Sequence, residues 1–184
     1  MTQFSRRAFA LSAAALPLAA CGNGIGSDGA ATVDARVDSA LNYLYTNFPD
    51  TQELAARATG ILVMPLITEA GLGFGGSFGR GALRVGESTV DYYSSTSGSA
   101  GLQIGAQQFS HVLFFMTPDA LADFRASSGW AAGADLEYAI DDQGEILRAE
   151  TTTSLAPVLA VVFGQTGLRL GATLEGTKYT RIIP

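Results

Sequence analysis

Residues 71–81 read Gly-Leu-Gly-Phe-Gly-Gly-Ser-Phe-Gly-Arg-Gly, and two catalytic spacings overlap in them. Gly71, Gly73 and Gly76 spell G-x-G-x-x-G, the turn that lets a backbone approach a pyrophosphate. Gly75, Ser77 and Gly79 spell G-x-S-x-G, the elbow that presents a nucleophilic serine. Both devices need a helix directly after the turn, one to hold the phosphate and one to mount the nucleophile. The next segment is Ser77-Phe-Gly-Arg-Gly-Ala-Leu-Arg-Val-Gly-Glu. Its three glycines weaken a helix by about 3 kcal/mol. Asp91 stands twenty positions after Gly71, at the ribose-binding spacing. Without the helix, neither signature is expected to work.

Other side chains capable of chemistry are few. His111 is the only histidine and Cys21 the only cysteine. A serine triad would have to use His111, which opens the apolar run Val112–Met116 and reads as structural. One histidine and one cysteine cannot make the usual zinc constellations. Asp141-Asp142-Gln143-Gly144 lacks the full EF-hand spacing and reads as a turn between strands at 134–140 and 145–153. The expectation is a protein that is not an enzyme and has no metal and no cofactor.

The positioning elements follow from periodicity. Val33, Val37, Leu41, Leu44, Tyr45 and Phe48 recur at helical spacing, and Pro49 ends that helix. Asp50 and Glu53 make a capping-box-like restart for a second helix to about Thr59. Ile61–Met64 reads as a buried strand, and Leu72–Phe115 as mostly strands. Thr117-Pro118 is an N-cap with proline at the first helical position, opening a helix carried by Leu121 and Phe124. Strands resume near Trp130, and Leu155–Phe163, Gly167–Leu174 and Lys178–Ile183 complete the set.

A six-residue pattern repeats. Gly71-Leu-Gly-Phe-Gly-Gly, Gly101-Leu-Gln-Ile-Gly-Ala, Gly129-Trp-Ala-Ala-Gly-Ala and Gly167-Leu-Arg-Leu-Gly-Ala share it. On a strand, alternate residues share a face, so the framing glycines lie opposite Leu72, Leu102, Trp130 and Leu168. A bare glycine face lets another layer approach closely. The fold class expected is α+β: an antiparallel, glycine-rich sheet system with two or three helices and a candidate pseudo-two-fold relation between halves.

Composition agrees. The 184 residues suit one domain. Glycine is abundant, at 22, and charged residues make up only 15%, against about a quarter usually. The formal charge is −6; without residues 1–20, which hold Arg6, Arg7 and no acid, 9 basic residues face 17 acidic ones, a net −8. Such a surface repels nucleic acid.

The first residues read as an address. Ser5-Arg-Arg-Ala-Phe9 resembles a twin-arginine export signal, and the uncharged run Ala8–Ala20 is too short to span a bilayer as a helix. Leu18-Ala-Ala-Cys21 resembles a lipobox, with cleavage before Cys21 and lipidation of its thiol. The organisation expected is a signal peptide at 1–20, a lipidated flexible tether at 21–32 and a domain at 33–184. Such processing implies a multi-acyl, palmitate-type anchor. Gly22, where an Asp would signal inner-membrane retention, points to the periplasmic face of the outer membrane.

With these features assembled, the chain resembles the SYLF family, also called the Ysc84-type lipid-binding domain, from about Ala58 to its end. "ATGILVMP" at 58–65, "GLGFGGSFGRG" at 71–81, "SAGLQIGAQ" at 99–107 and "GLRLGATLEG" at 167–176 carry the resemblance, with "GWAAGAD" at 129–135. "DYYSSTSGSAGLQIGAQQFSHVLFF" at 91–115 is similar to the bacterial lipoprotein branch. The resemblance implies non-catalytic binding to phospholipid membranes, anionic lipids preferred in eukaryotic members. Some eukaryotic relatives bind actin through a basic N-terminal segment. Residues 22–56 hold one basic residue, Arg36, so actin is not expected here.

Candidate headgroup contacts are Arg80, Arg84, Arg169, Lys178 and Arg181, in or beside the glycine repeats and the last strand. Candidate interface aromatics are Phe74, Phe78 and Trp130, with Tyr92 and Tyr93. The competing reading puts the aromatics in the core and the cations at solvated edges; for the aromatics it is the weightier one. The alternative function is a cell-envelope structural or protein-interaction module.

Overall fold

The computed structural model describes residues 27–133, 136–138, 156–164, 167–168, 174 and 176–184. Cys21, the export signal, Arg169 and the turn at 141–144 lie outside the described residues. So do the side chains of Leu72, Phe74 and Leu102.

Three helices and a seven-stranded sheet make up the described fold, an α+β architecture. The helices are α1 (Gly29–Asn47), α2 (Asp50–Arg57) and α3 (Pro118–Ala126). The strands are β1 (Gly60–Val85), β2 (Ser88–Phe115), β3 (Trp130–Ala131), β4 (Leu136–Tyr138), β5 (Val158–Gly164), β6 (Gly167–Leu168) and β7 (Lys178–Ile182). Pairing is antiparallel throughout except β4–β5, which is parallel.

The region expected to hold several strands is one hairpin of two very long ones. β1 has 26 residues and β2 has 28, where about 5–6 is typical. Gly86, at φ 59, opens the two-residue turn between Val85 and Ser88. One edge of β2 pairs with β1 along its length. Its other edge is shared, residues 92–96 with β7 and 110–115 with β5.

The glycine repeats meet in this hairpin. Gly71 pairs with Gly105 and Leu72 with Ile104, so the first two copies run antiparallel against each other. Register shifts at Met64/Ile67, Leu72/Phe74 and Leu83/Arg84 bend the ribbon. The end of β1 then returns over its own beginning. A Cβ on Gly81 would fall on the Val63 carbonyl oxygen and 2.5 Å from Met64 Sδ. One on Gly79 would meet Ile67 and sit 2.6 Å from the Leu66 carbonyl oxygen. Glycine there is a packing requirement.

Strand alternation sorts two cores onto opposite faces. Ile61, Val63, Val112, Phe114 and Val161 pack with Val37, Leu44 and Leu54 of α1 and α2. Leu62, Met64, Leu113, Phe115 and Val162 pack with Leu121 and Phe124 of α3, and with Tyr93 and Tyr179. Burial on both faces explains why Ile61–Met64 and Val158–Phe163 are continuous apolar runs, each large side chain contributing about 1.5–3 kcal/mol.

The helix starts differ in part from expectation. Thr117 caps α3, accepting from the Ala120 N–H at 3.2 Å, with Pro118 next. The Asp50–Glu53 box does not form. Pro49 occupies the N-cap of α2 with no side-chain cap, and the two acids lie inside the first turn, where they complement the helix dipole. α1 begins at Gly29, inside the span expected to be tether.

Candidate functional site

Both catalytic signatures lose their context in this fold. Ser77–Val85 is strand, so neither a phosphate-binding helix nor a nucleophile elbow follows the glycines. Ser77 Oγ shares a 2.7 Å hydrogen bond with Ser97 Oγ. Asp91 pairs with Arg125 at 3.1 Å and Arg181 at 3.4 Å. His111 is buried, its Nε2 2.8 Å from the Tyr179 hydroxyl, and Nδ1 has no hydrogen-bond partner among the described residues. Burial lowers its pKa from 6.5 to about 3, so the ring is neutral at physiological pH.

The candidate cations are held in different places. Arg84 reaches back to α1, with Asp38 at 2.7 Å and Asp34 at 3.8 Å, and its side chain is only 15% exposed. Asp34 also accepts from Thr89 Oγ1 at 2.8 Å and the Tyr92 hydroxyl at 2.7 Å. Desolvation first, then the Asp34 bond and charge, raise the Tyr92 phenol to about 12. This polar cluster fastens α1 to the hairpin turn. Arg181 sits toward α3, on Asp91, the Arg125 carbonyl oxygen at 3.0 Å and the Tyr93 ring. Lys178 is exposed on β7, its stem beside Gly129.

The candidate aromatics divide likewise. Trp130 packs against Phe124 at 5.5 Å and Tyr179 at 5.7 Å. Tyr93 is buried against Phe124. Phe74 is placed by its backbone alone, opposite Ala100. Phe78 is 50% exposed, and the Arg80 guanidinium lies 6.0 Å from its ring centroid.

Phe78 and Arg80 belong to a hollow of about 730 Å³ between β1 and the start of α1. Arg36 and Leu66 complete its character: an exposed cation, and an aliphatic side chain 37% exposed. A second hollow, about 980 Å³, continues along α1 past Ser39 to Tyr43, against Phe109 and Phe163. The two share Arg36, Leu66 and Thr68, and so form one trough. Leu66 faces outward because Pro65 sits at a bulge, where a residue without an N–H is tolerated in a strand. Ser110 Oγ donates to the Pro65 carbonyl oxygen at 2.7 Å, holding the bulge. Periodicity had singled out neither Arg36 nor Leu66 as a site residue; the available signal was the lone proline in an apolar strand.

The arrangement can accept an anion beside an apolar group. Among the described residues no cluster of His, Cys, Asp and Glu suits a metal ion, and no helix is long and apolar enough to cross a membrane.

Residues 96–181 match the family model Ysc84, described as Las17-binding protein actin regulator. Residues 96–181 thus match a Ysc84 (SYLF) domain, the family that the segments at 99–107, 129–135 and 167–176 resemble; those at 58–65 and 71–81 precede the match. No curated protein matches the chain.

Proposed function

We propose that the protein is a non-catalytic phospholipid-binding domain, exported and lipid-anchored at Cys21, on the periplasmic side of the outer membrane. One observation carries the membrane contact: Phe78 and Leu66 stand exposed between Arg36 and Arg80 at the first described residues of the chain. An interfacial aromatic beside cations suits the headgroup region of an anionic bilayer. Geometry adds to this. Ser27 lines the hollow, and Cys21 precedes it by six residues. Six residues reach at most roughly 20 Å, so an acyl anchor on Cys21 keeps this face near the bilayer.

Vesicle co-sedimentation tests the reading. Both core clusters are built between Val33 and Tyr179, so a chain from Gly22 retains them and lacks the anchor. It is expected to sediment with vesicles containing anionic phospholipid. If it sediments with no vesicle of any composition, only the acyl anchor touches membrane and the proposal fails.

The family description names binding to a protein, which favours the second reading, an envelope protein-interaction module. A partner crosslinked in intact cells, with no vesicle binding, would decide for it. Actin is no part of either reading.

A further inference from the structure

We infer, resting on the lipid-facing reading of this face, that the trough beside α1 is a binding site for one single-chain anionic amphiphile. Its acid group would sit at Arg36 and Arg80, and its chain would lie along α1 toward Tyr43. Contact with a flat bilayer needs only the Ser27 end of this surface. The trough continues two helical turns beyond Arg36 to Tyr43, so that from Gly29 it runs roughly 21 Å along the helix axis. Its chemistry changes along that length. The first hollow holds two arginines. The second has Ala40 and Phe163 buried in its floor and Leu66 and Phe109 on its rim, with the polar side chains of Gln107, Gln108 and Ser110 beside them. Two arginines at one end and the strip of Leu66, Ala40, Phe109 and Phe163 within a partly polar hollow beyond them match an acid headgroup on one acyl chain. Asp28, the acidic residue of the lining, is eight residues from Arg36, about 12 Å along the axis. Tyr43 closes the far end, stacked on Phe163 at 5.9 Å and donating to the Gly164 carbonyl oxygen at 3.1 Å.

The test is binding below the micelle concentration, where no bilayer exists. The delipidated chain from Gly22 is titrated with a dansyl-labelled undecanoic acid, followed by blue-shifted emission. Saturable binding near one per chain is expected. Competition by oleate and by lysophosphatidylglycerol ranks the fatty acid against the lysophospholipid as the preferred source. Zwitterionic lysophosphatidylcholine should compete at least about tenfold less well, and Arg36→Gln should weaken the probe at least about tenfold. Thr68→Trp, which fills the junction of the hollows from an exposed strand position, should abolish binding. Circular dichroism melts check that the variants fold, and Ser39→Trp, on the α1 wall, gives the same reading if Thr68→Trp does not. No saturable signal, or affinities within about twofold of the parent in folded variants, overturns the inference. Vesicle sedimentation of the same preparation separates the failures. Vesicle binding without monomer binding sinks the trough alone; loss of both sinks the lipid-facing reading as well.

Discussion

Substituting Gly81 by alanine adds a single methyl group, and the structure says where it lands. The new carbon falls on the Val63 carbonyl oxygen and within 2.5 Å of Met64 Sδ. The Met64 side chain can move, but the Val63 carbonyl is part of a strand buried on both faces. The ribbon must open at its self-crossing, which sets Gly81→Ala at or beyond the usual overpacking range of about 1–3 kcal/mol. Gly98→Ala is the matched control. It lies in β2 with nothing within 4 Å of the added carbon and no left-handed φ. There alanine should be neutral or stabilising by about 0.4–1 kcal/mol through the unfolded state. Urea unfolding compares the two, a shift in midpoint at unchanged slope reading as stability. In a chain of this size about 3 kcal/mol corresponds to a melting temperature lowered by roughly 6–12 °C. Equal midpoints for Gly81→Ala and Gly98→Ala would refute the return of β1 over itself.

Other consequences follow from the buried polar groups. Asp34→Ala removes the acceptor of Thr89 and Tyr92 and a partner of Arg84, and should destabilise by about 1–3 kcal/mol. The same variant should bring the Tyr92 phenol down from about 12 toward 10, read by ultraviolet titration of tyrosinate. Because the folded value is raised, Tyr92 contributes stability that is whole below pH 10 and lost as pH rises toward 12; in Asp34→Ala that alkaline loss should shrink. His111 has the opposite sign. Its folded pKa is depressed from 6.5 to about 3, so stability should fall as pH drops from 6.5 toward 3, by up to tenfold in the folding equilibrium per pH unit. His111→Phe should flatten that acid limb in urea midpoints measured across pH.

Local signals in the sequence carried the helices and the two-sided strands, because both depend on near neighbours. The Val33–Phe48 stripe, the Thr117-Pro118 cap and the Ile61–Met64 run are each complete within a few residues. The start of α1 was missed because Ala30 and Ala31 favour helix without adding an apolar period. The length of β1 and β2 was hidden for the opposite reason. Their glycines blank out alternation, and continuity comes from partners such as Gly105 opposite Gly71, 34 residues away. Close backbone approach occurs at Gly79 and Gly81, which follow the first glycine repeat and are not part of it. The site was least legible. Arg84 is taken up by Asp34 and Asp38, nearly fifty residues earlier, and no spacing rule reports such a pair. Arg36 and Leu66 become neighbours only when α1 lies across the bulge at Pro65.

Contact between membrane and the Phe78 face is the centre of the account, and a single fluorescent label measures it. The chain from Gly22 has no cysteine, so Phe78→Cys and Asp123→Cys each take one environment-sensitive dye. Phe78 borders the hollow beside α1, whereas Asp123 is exposed on α3, which packs on the opposite sheet face. With anionic vesicles carrying a quencher in their acyl chains, the dye at 78 is predicted to shift blue and be quenched while the dye at 123 stays in water. Quenching at 123, or an unchanged dye at 78 on vesicles that bind the protein, would contradict the account.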